Sequence, residues 1–288
     1  MAETPPAVPP VVLTIAGFDP SSGAGITADI KTIAAHECYG VACITALTVQ
    51  STQGVRRAEG IDPKLIAETL QELVSDITID AVHIGMLGNG RVVEVVAGFL
   101  EQARLPHVVL DPILKSSSGA ALLDPAATAI LIERLLPLAE IITPNLDEAS
   151  ALTGIAVTNL DQMREAARCL HSMAAANVVV TGGHLEKAID LLSFTTSQGI
   201  EEEVFKADRL RSNSTHGTGC AFSTALACHL ANGRGLPEAV LLSKVYVSAA
   251  IANAHPLGTG VGPLYHLYRM SQQRRPGTTV SEAEHIHS

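Results

Sequence analysis

Six times between residues 11 and 181, a short apolar run closes on glycine, proline or a polar residue. The runs lie at 11–16, 40–49, 81–85, 107–112, 140–145 and 178–181. Short runs with so little alternation read as strands covered on both faces. Between them, apolar residues recur at helical spacing over 26–36, 63–75, 92–103, 126–136, 146–153 and 161–174. This rhythm predicts an α/β fold, a doubly wound and mostly parallel central sheet with helices on both faces and right-handed crossovers. Two alternating stretches, 188–195 and 202–210, predict an antiparallel hairpin. Two further helices are expected over 221–231 and 237–254, and residues 50–54 are expected to be a polar loop. No repeat or second core interrupts the pattern. Residues 11–268 should form one domain, with 1–10 a flexible Pro-rich lead and 269–288 a polar, disordered tail.

The packing material agrees. Hydrophobic residues make up 47% of the chain but aromatics only 3%, with no Trp. Ala, Val, Leu and Ile must fill the core, as suits helices laid on a parallel sheet. The net charge of −10 argues against nucleic acid and against an anionic membrane surface. The five cysteines are odd in number and none is spaced CxxC, which fits a reducing compartment. The first residues carry no basic and no apolar segment, so no signal peptide or membrane span is expected and the location reads as cytoplasmic.

In such folds ligands bind beyond the carboxyl ends of the strands. Gly17, Gln50, Met86, Asp111, Asn145 and Gly182-Gly183 all fall there. The first loop, Gly17 to Gly25, lacks the GxGxxG spacing of a dinucleotide site, which counts against a nicotinamide dehydrogenase. The stretch with most chemistry is Gly217-Thr218-Gly219-Cys220, opening a helix. Its glycines let successive N–H groups face one ligand, and the helix N-terminus favours an anion. The alternative is a plain tight connection. Cys220 stands at that N-terminus, where a thiol pKa is expected to fall; the alternative is a small buried apolar residue.

Asp111 and the pair Asn145 and Glu148 are candidates for a magnesium site, since Mg²⁺ takes oxygen ligands and keeps waters. Asn145 and Glu148 are equally the N-cap and N3 of a capping box. Asp29, one turn into the first helix, is either an exposed acid or a hydrogen-bond acceptor in a pocket. Gln50 offers a donor and an acceptor, the complement of a ring edge bearing an amino group beside a nitrogen. Met86 is either core filling or a thioether laid against a ring. Lys115 and Lys244 are the cations to place near phosphates, or solvated surface lysines. His184 and His216 are loop histidines for which phosphate contact is the less common role.

Read in order, these blocks resemble a known family. Ala16-Gly17-Phe18-Asp19-Pro20-Ser21-Ser22-Gly23-Ala24-Gly25, the block from Tyr39 to Thr52, Ile84-Gly85-Met86-Leu87, Leu110-Asp111-Pro112, Thr143-Pro144-Asn145, Gly182-Gly183-His184 and Thr215-His216-Gly217-Thr218-Gly219-Cys220 are similar to bacterial hydroxymethylpyrimidine/phosphomethylpyrimidine kinases of the ribokinase superfamily. The resemblance implies phosphorylation of 4-amino-5-hydroxymethyl-2-methylpyrimidine and then of its monophosphate, for thiamine synthesis, with ATP, Mg²⁺ and a monovalent cation. It implies that Cys220 stands where the superfamily has a catalytic Asp, and that Gly217, Thr218 and Gly219 form the anion hole. Gly17, Asp29, Gln50 and Met86 fall on the pyrimidine pocket. Asn145 and Glu148 fall on the magnesium and phosphate region, and the family is usually dimeric. Thr181 departs from the pattern, because many members have Lys there; Lys115 or Lys244 is the expected replacement. Pyridoxal kinase activity is the nearest alternative, and a non-catalytic pyrimidine sensor is an alternative of another class.

Overall fold

Strand β1 (Val11–Phe18) is buried along its length up to Gly17, which places it in the middle of a sheet. The computed structural model, which describes residues 8–116, 119, 121–183, 188–208, 210 and 212–272, builds nine strands among them. The others are β2 (Tyr39–Ser51), β3 (Gly54–Gly60), β4 (Ala81–Ile84), β5 (Val108–Leu110), β6 (Ile141–Ile142), β7 (Asn177–Gly182), β8 (Ala188–Thr196) and β9 (Gly199–Ala207). Across the sheet the order is β3-β2-β1-β4-β5-β6-β7-β8-β9. The strands from β2 through β7 run parallel, and antiparallel strands close both edges.

The helices are α1 (Gly25–Ala35), α2 (Pro63–Asp76), α3 (Gly90–Ala103), α4 (Pro125–Ile130), α5 (Leu146–Thr153), α6 (Leu160–Ser172), α7 (Thr218–Ala231), α8 (Leu236–Ala252) and α9 (Tyr268–Gln272). Alternate residues of each strand face opposite layers. Leu13, Ile15, Val82, Ile84 and Leu110 pack with Ile66 and Leu70 of α2, Val93 and Val96 of α3, and Met163 and Leu170 of α6. Val12, Ala81, Val109, Ile141 and Val179 pack on the other face with Ile33 of α1, Phe222 and Ala225 of α7, and Val240 of α8. Helix α7 touches α1, α8 and strands β1, β4 and β5, so it is buried along most of its length, as a central helix must be.

Asp62, Asn89, Asp124, Asn145 and Asn159 cap α2 to α6 with their side chains. Each satisfies an N–H that the first turn leaves open. Helices α1, α7 and α8 have no side-chain cap, and the N-cap of α7 is Gly217.

Several boundaries differ from the sequence expectation. Residues 50–54 are not a loop: β2 runs on through Ser51 and returns as β3. β3 reads Gly-Val-Arg-Arg-Ala-Glu-Gly and is mostly exposed, so its ladder with β2, not an apolar pattern, makes it a strand. The helix expected over 126–136 breaks up after Ile130 into a π turn (Leu131–Leu135) and a 3-10 turn (Leu136–Leu138). Helix α7 starts at Thr218, before the expected 221, and α9 enters the expected tail at Tyr268. Residues 1–7 of the lead, 273–288 of the tail, and His184 lie outside the described residues. No helix among the described residues is long and apolar enough to cross a membrane.

Candidate active site

Two loops meet at the carboxyl ends of the parallel strands because glycines let their backbones touch. Gly217 has φ +83°, and a Cβ there would sit 1.8 Å from the Gly23 carbonyl oxygen. Gly25 has φ +58°, and a Cβ there would sit 2.2 Å from the Gly17 oxygen. Asp19 ties this junction. Its Oδ1 accepts from the Ser21 N–H at 2.8 Å and the Ser21 hydroxyl at 2.7 Å. Its Oδ2 accepts from the Gly23 and Ala24 N–H groups and from His216 Nε2 at 2.8 Å. Burial opposes the charge on Asp19, but the hydrogen bonds from His216 and Ser21 outweigh it and hold the carboxyl below its usual range.

The turn Gly217-Thr218-Gly219-Cys220 therefore opens α7 with N–H groups that no side chain caps. Thr218 braces the turn by donating its hydroxyl to the Thr215 oxygen at 2.7 Å. Cys220 is 7% exposed. The expected drop in its pKa does not occur. Burial pushes the thiol well up, and the charges of Asp111, Asp29 and Glu148 add to this, while the Gly25 N–H opposes them. All but the last of these influences favour the neutral thiol.

Asp111 lies directly beneath: a Cβ on Gly219 would stand 3.7 Å from its Oδ2. Burial pushes the Asp111 carboxyl up to about 6, against the pull of His83 and Ser223. Glu148 is pushed up to about 8 by burial and by Asp111. Both halves of the capping box form: Asn145 Oδ1 accepts from the Glu148 N–H, and Glu148 Oε2 accepts from the Asn145 N–H, each at 2.9 Å. Capping and metal support are thus compatible. Two buried, mutually repelling carboxylates fit a Mg²⁺ ion, which needs one or two carboxylates and fills its shell with water and phosphate oxygens. No cluster of three or more metal-ligating side chains exists among the described residues.

A buried polar chain that the sequence reading did not see runs under α7. Asp29 is fully buried and presents no face to a ligand. Its oxygens accept from Thr14 at 2.8 Å and Thr224 at 2.9 Å. His83 Nδ1 lies 3.5 Å from Asp29 Oδ2, and its Nε2 lies 2.9 Å from the Ser223 hydroxyl. Ser223 in turn reaches Asp111 Oδ2 at 3.2 Å. Burial works against a charge on His83, yet Asp29 prevails and carries its pKa above the usual value. Polar residues inside the apolar runs of β1 and β4, Thr14 and His83, were the available signal.

Gly17 and Met86 do come together: a Cβ on Gly17 would lie 3.0 Å from Met86 Sδ. Thr45 holds Met86 by donating to its backbone oxygen at 2.5 Å. Gln50 enters from the β2–β3 hairpin, with Nε2 placed 3.2 Å from His216 Nε2. His216, given little weight from sequence, is buried and central here.

On the opposite side, Thr181 bridges to Asn145, and its N–H donates to the Pro144 oxygen at 2.9 Å. Lys115 is exposed on the loop after β5. Lys244 is not a solvated lysine: its Nζ donates to Asp190 Oδ2 at 2.6 Å in a buried pair. Asp190 Oδ1 also accepts from the Gly182 N–H at 3.0 Å. Lys244 therefore stands behind the Thr181-Gly182 turn with its charge already balanced. A groove of about 630 Å³ lies apart from all of this, among the N-termini of α2, α3 and α4. Asp62, Asn89 and Asp124 are used there as helix caps, so it offers no comparable set of groups.

The family model for phosphomethylpyrimidine kinase matches residues 19–265. The chain is 41% identical to the hydroxymethylpyrimidine/phosphomethylpyrimidine kinase of Streptomyces coelicolor over 272 residues, 94% of this chain and 99% of that one. It is 43% identical to a thiamine biosynthesis bifunctional protein of Geobacter sulfurreducens over 258 residues, 89% of this chain, and spans about half (52%) of that relative. Among solved structures, pyridoxal kinase of Bacillus subtilis in an ADP complex superposes with a TM-score of 0.82 at 36% identity, covering 91% of this chain and 99% of that one.

Proposed function

The chain belongs to the phosphomethylpyrimidine kinase family, with its ribokinase-like fold, and from that premise we propose that it phosphorylates 4-amino-5-hydroxymethyl-2-methylpyrimidine and then its monophosphate with ATP, for thiamine synthesis. The observation that carries this is the uncapped turn Gly217-Thr218-Gly219-Cys220 seated over Asp111. Phosphoryl transfer asks mainly for positioning and for fixed donors where charge develops. The N–H groups of Gly219 and Cys220 are such donors, that of Thr218 being spent on the Thr215 oxygen. They face the transferring phosphoryl group without rearrangement.

Gly17, Met86 and Gln50 hold the pyrimidine, and Asp29 supports the floor from below. Burial first, and then Asp111, Asp29 and Glu148, keep the proton on Cys220, so Sγ acts as the base once that proton has passed to water; as a thiolate it takes the proton of the substrate hydroxyl while the phosphoryl group moves to that oxygen. Asp111 and Glu148 would hold a Mg²⁺ ion, whose positive charge would favour the thiolate. Asn145, Thr181, Lys115 and Lys244 border the ATP phosphates, Lys244 as a donor anchored by Asp190. A monovalent cation, a cytoplasmic location and a homodimer complete the reading. Exposed Leu47 and Val49 on β2 support the homodimer, since a second copy would cover them.

The test is ATP consumption with the hydroxymethylpyrimidine and, in parallel, with pyridoxal, the substrate suggested by the structural relative. Turnover dominated by the pyrimidine is expected. Cys220→Ala should lower kcat by about 10² or more while pyrimidine binding stays within about twofold. Near-normal kcat in that variant removes Cys220 as the base, and dominant pyridoxal turnover overturns the choice of substrate. Binding without any ATP turnover would leave a sensor.

A further inference from the structure

An amide reads a ring only if its oxygen and nitrogen are held the right way round. We propose that His216, Asp19 and Thr48 are positioning residues that lock the Gln50 amide with Oε1 toward His216 and Nε2 toward Thr48. The inference rests on Gln50 contacting the pyrimidine.

The argument follows the protons. Asp19 takes five donors, from Ser21 twice, Gly23, Ala24 and His216. An ionised carboxylate only accepts. His216 Nε2, 2.8 Å away, must therefore carry a hydrogen. That N–H cannot accept from Gln50. With the amide nitrogen facing His216, two donors would confront each other across 3.2 Å. Amide oxygen and nitrogen occupy nearly interchangeable positions, so the hydrogen-bond network decides between them. Turned end for end, Oε1 shares the His216 hydrogen with Asp19.

The other end of the amide agrees. It lies 3.1 Å from the Thr48 hydroxyl. That hydroxyl also lies 3.0 Å from the Phe18 carbonyl oxygen. A carbonyl cannot donate, so the single Thr48 hydrogen goes to Phe18, and Thr48 Oγ1 accepts from Gln50 Nε2. Each of these contacts now joins a donor to an acceptor. One N–H and one oxygen lone pair of Gln50 remain unspent by these contacts. Side by side, they complement an amino group beside a ring nitrogen. His216 is itself held, its backbone N–H donating to the Gly262 oxygen at 3.0 Å and its ring lying on Gly23. The next residue is Gly217, so the reader of the pyrimidine and the anion turn share one anchor.

The experiment is calorimetric titration of the intact protein with 4-amino-5-hydroxymethyl-2-methylpyrimidine, beside titration with a non-hydrolysable ATP analogue. Gln50→Ala is expected to raise the pyrimidine Kd about tenfold, the worth of a well-made buried hydrogen bond. Thr48→Val should raise it by several-fold, and Thr48→Ser should restore it. The double variant Thr48→Val with Gln50→Ala should bind no more weakly than Gln50→Ala alone, because Thr48 acts through Gln50. The ATP analogue should bind all of these alike. A Thr48→Val effect that multiplies with Gln50→Ala, or none while Gln50→Ala weakens binding, overturns the positioning role. An unchanged Kd in Gln50→Ala instead removes the contact on which it rests.

Discussion

The imidazole of His83 stands 2.9 Å from the Ser223 hydroxyl, which joins strand β4 to the first turns of α7. Through Ser223 the contact continues to Asp111, and through the other ring nitrogen it faces Asp29. His83 is thus a fully buried group set between two carboxylates, Asp29 and Asp111.

Removing His83 should be expensive. His83→Leu takes a partner from Asp29, Thr14 and Ser223 at once and should cost about 3 kcal/mol. Ser223→Ala takes one from His83 and from Asp111 and should cost about 1–2 kcal/mol. Urea denaturation monitored by circular dichroism gives both values. Equal losses in the two variants would contradict His83 as the centre of this chain.

Asp111 and Glu148 should show the opposite balance. Both carry pKa values raised by burial and, for Glu148, by Asp111. Folding therefore disfavours their charges when no cation is present. Glu148→Gln keeps a partner for the Asn145 N–H and removes one charge. It should raise Tm without metal at pH 8 by a few degrees, and abolish the Tm gain that Mg²⁺ with ATP gives the wild type. Differential scanning calorimetry with and without both ligands reads the two effects. A Mg²⁺-dependent gain that survives in the variant would exclude Glu148 from the metal site.

The two glycines of the anion turn should fail in different ways. Gly217→Ala forces a Cβ to 1.8 Å from the Gly23 oxygen at positive φ, so the loops must separate and stability should fall by at least about 2 kcal/mol. Gly219→Ala meets nothing closer than Asp111 Oδ2 at 3.7 Å and lies within α7. It should leave Tm nearly unchanged while lowering kcat by tenfold or more, because the methyl fills the space over Asp111. Comparable Tm losses would show that both glycines serve folding alone.

Buried neutral histidines should cost stability on mild acidification. Burial depresses His36, His229 and His266 to about 4. The unfolded chain binds their protons near 6.5, so the stability they allow is present above that pH and is lost as pH falls from 6.5 toward 4. His83, Asp111 and Glu148, all raised, work in the other direction. The share of one histidine is therefore read from a variant: relative to the wild type, His36→Phe, whose ring can keep the edge-on packing against Tyr246, should gain stability as pH falls from 7.5 to 5. A difference between the two denaturation midpoints that does not change with pH would refute the buried neutral state of His36.

Local pattern sufficed wherever the determinant was local. The alternation of apolar runs and helical spacing announced the central sheet and both helical layers, because burial on two faces leaves a periodic trace. The capping box of Asn145 and Glu148 was legible, since both partners lie within one turn. So was the turn at Gly217 to Cys220, whose glycines mark a backbone that must come close to something.

What the sequence could not state was distance through space. β3 has almost no apolar face and exists through its ladder with β2, so Gln50 was assigned to a loop. Asp19 and His216 are 197 residues apart and meet at 2.8 Å. Lys244 reads as a surface cation until Asp190 is found beside it. Cys220 is the sharpest case. Its place at a helix N-terminus predicts an acidic thiol, yet burial and three carboxylates from separate segments make it the reverse. Desolvation and charge act through space, so tertiary structure alone decides which of these forces a side chain meets.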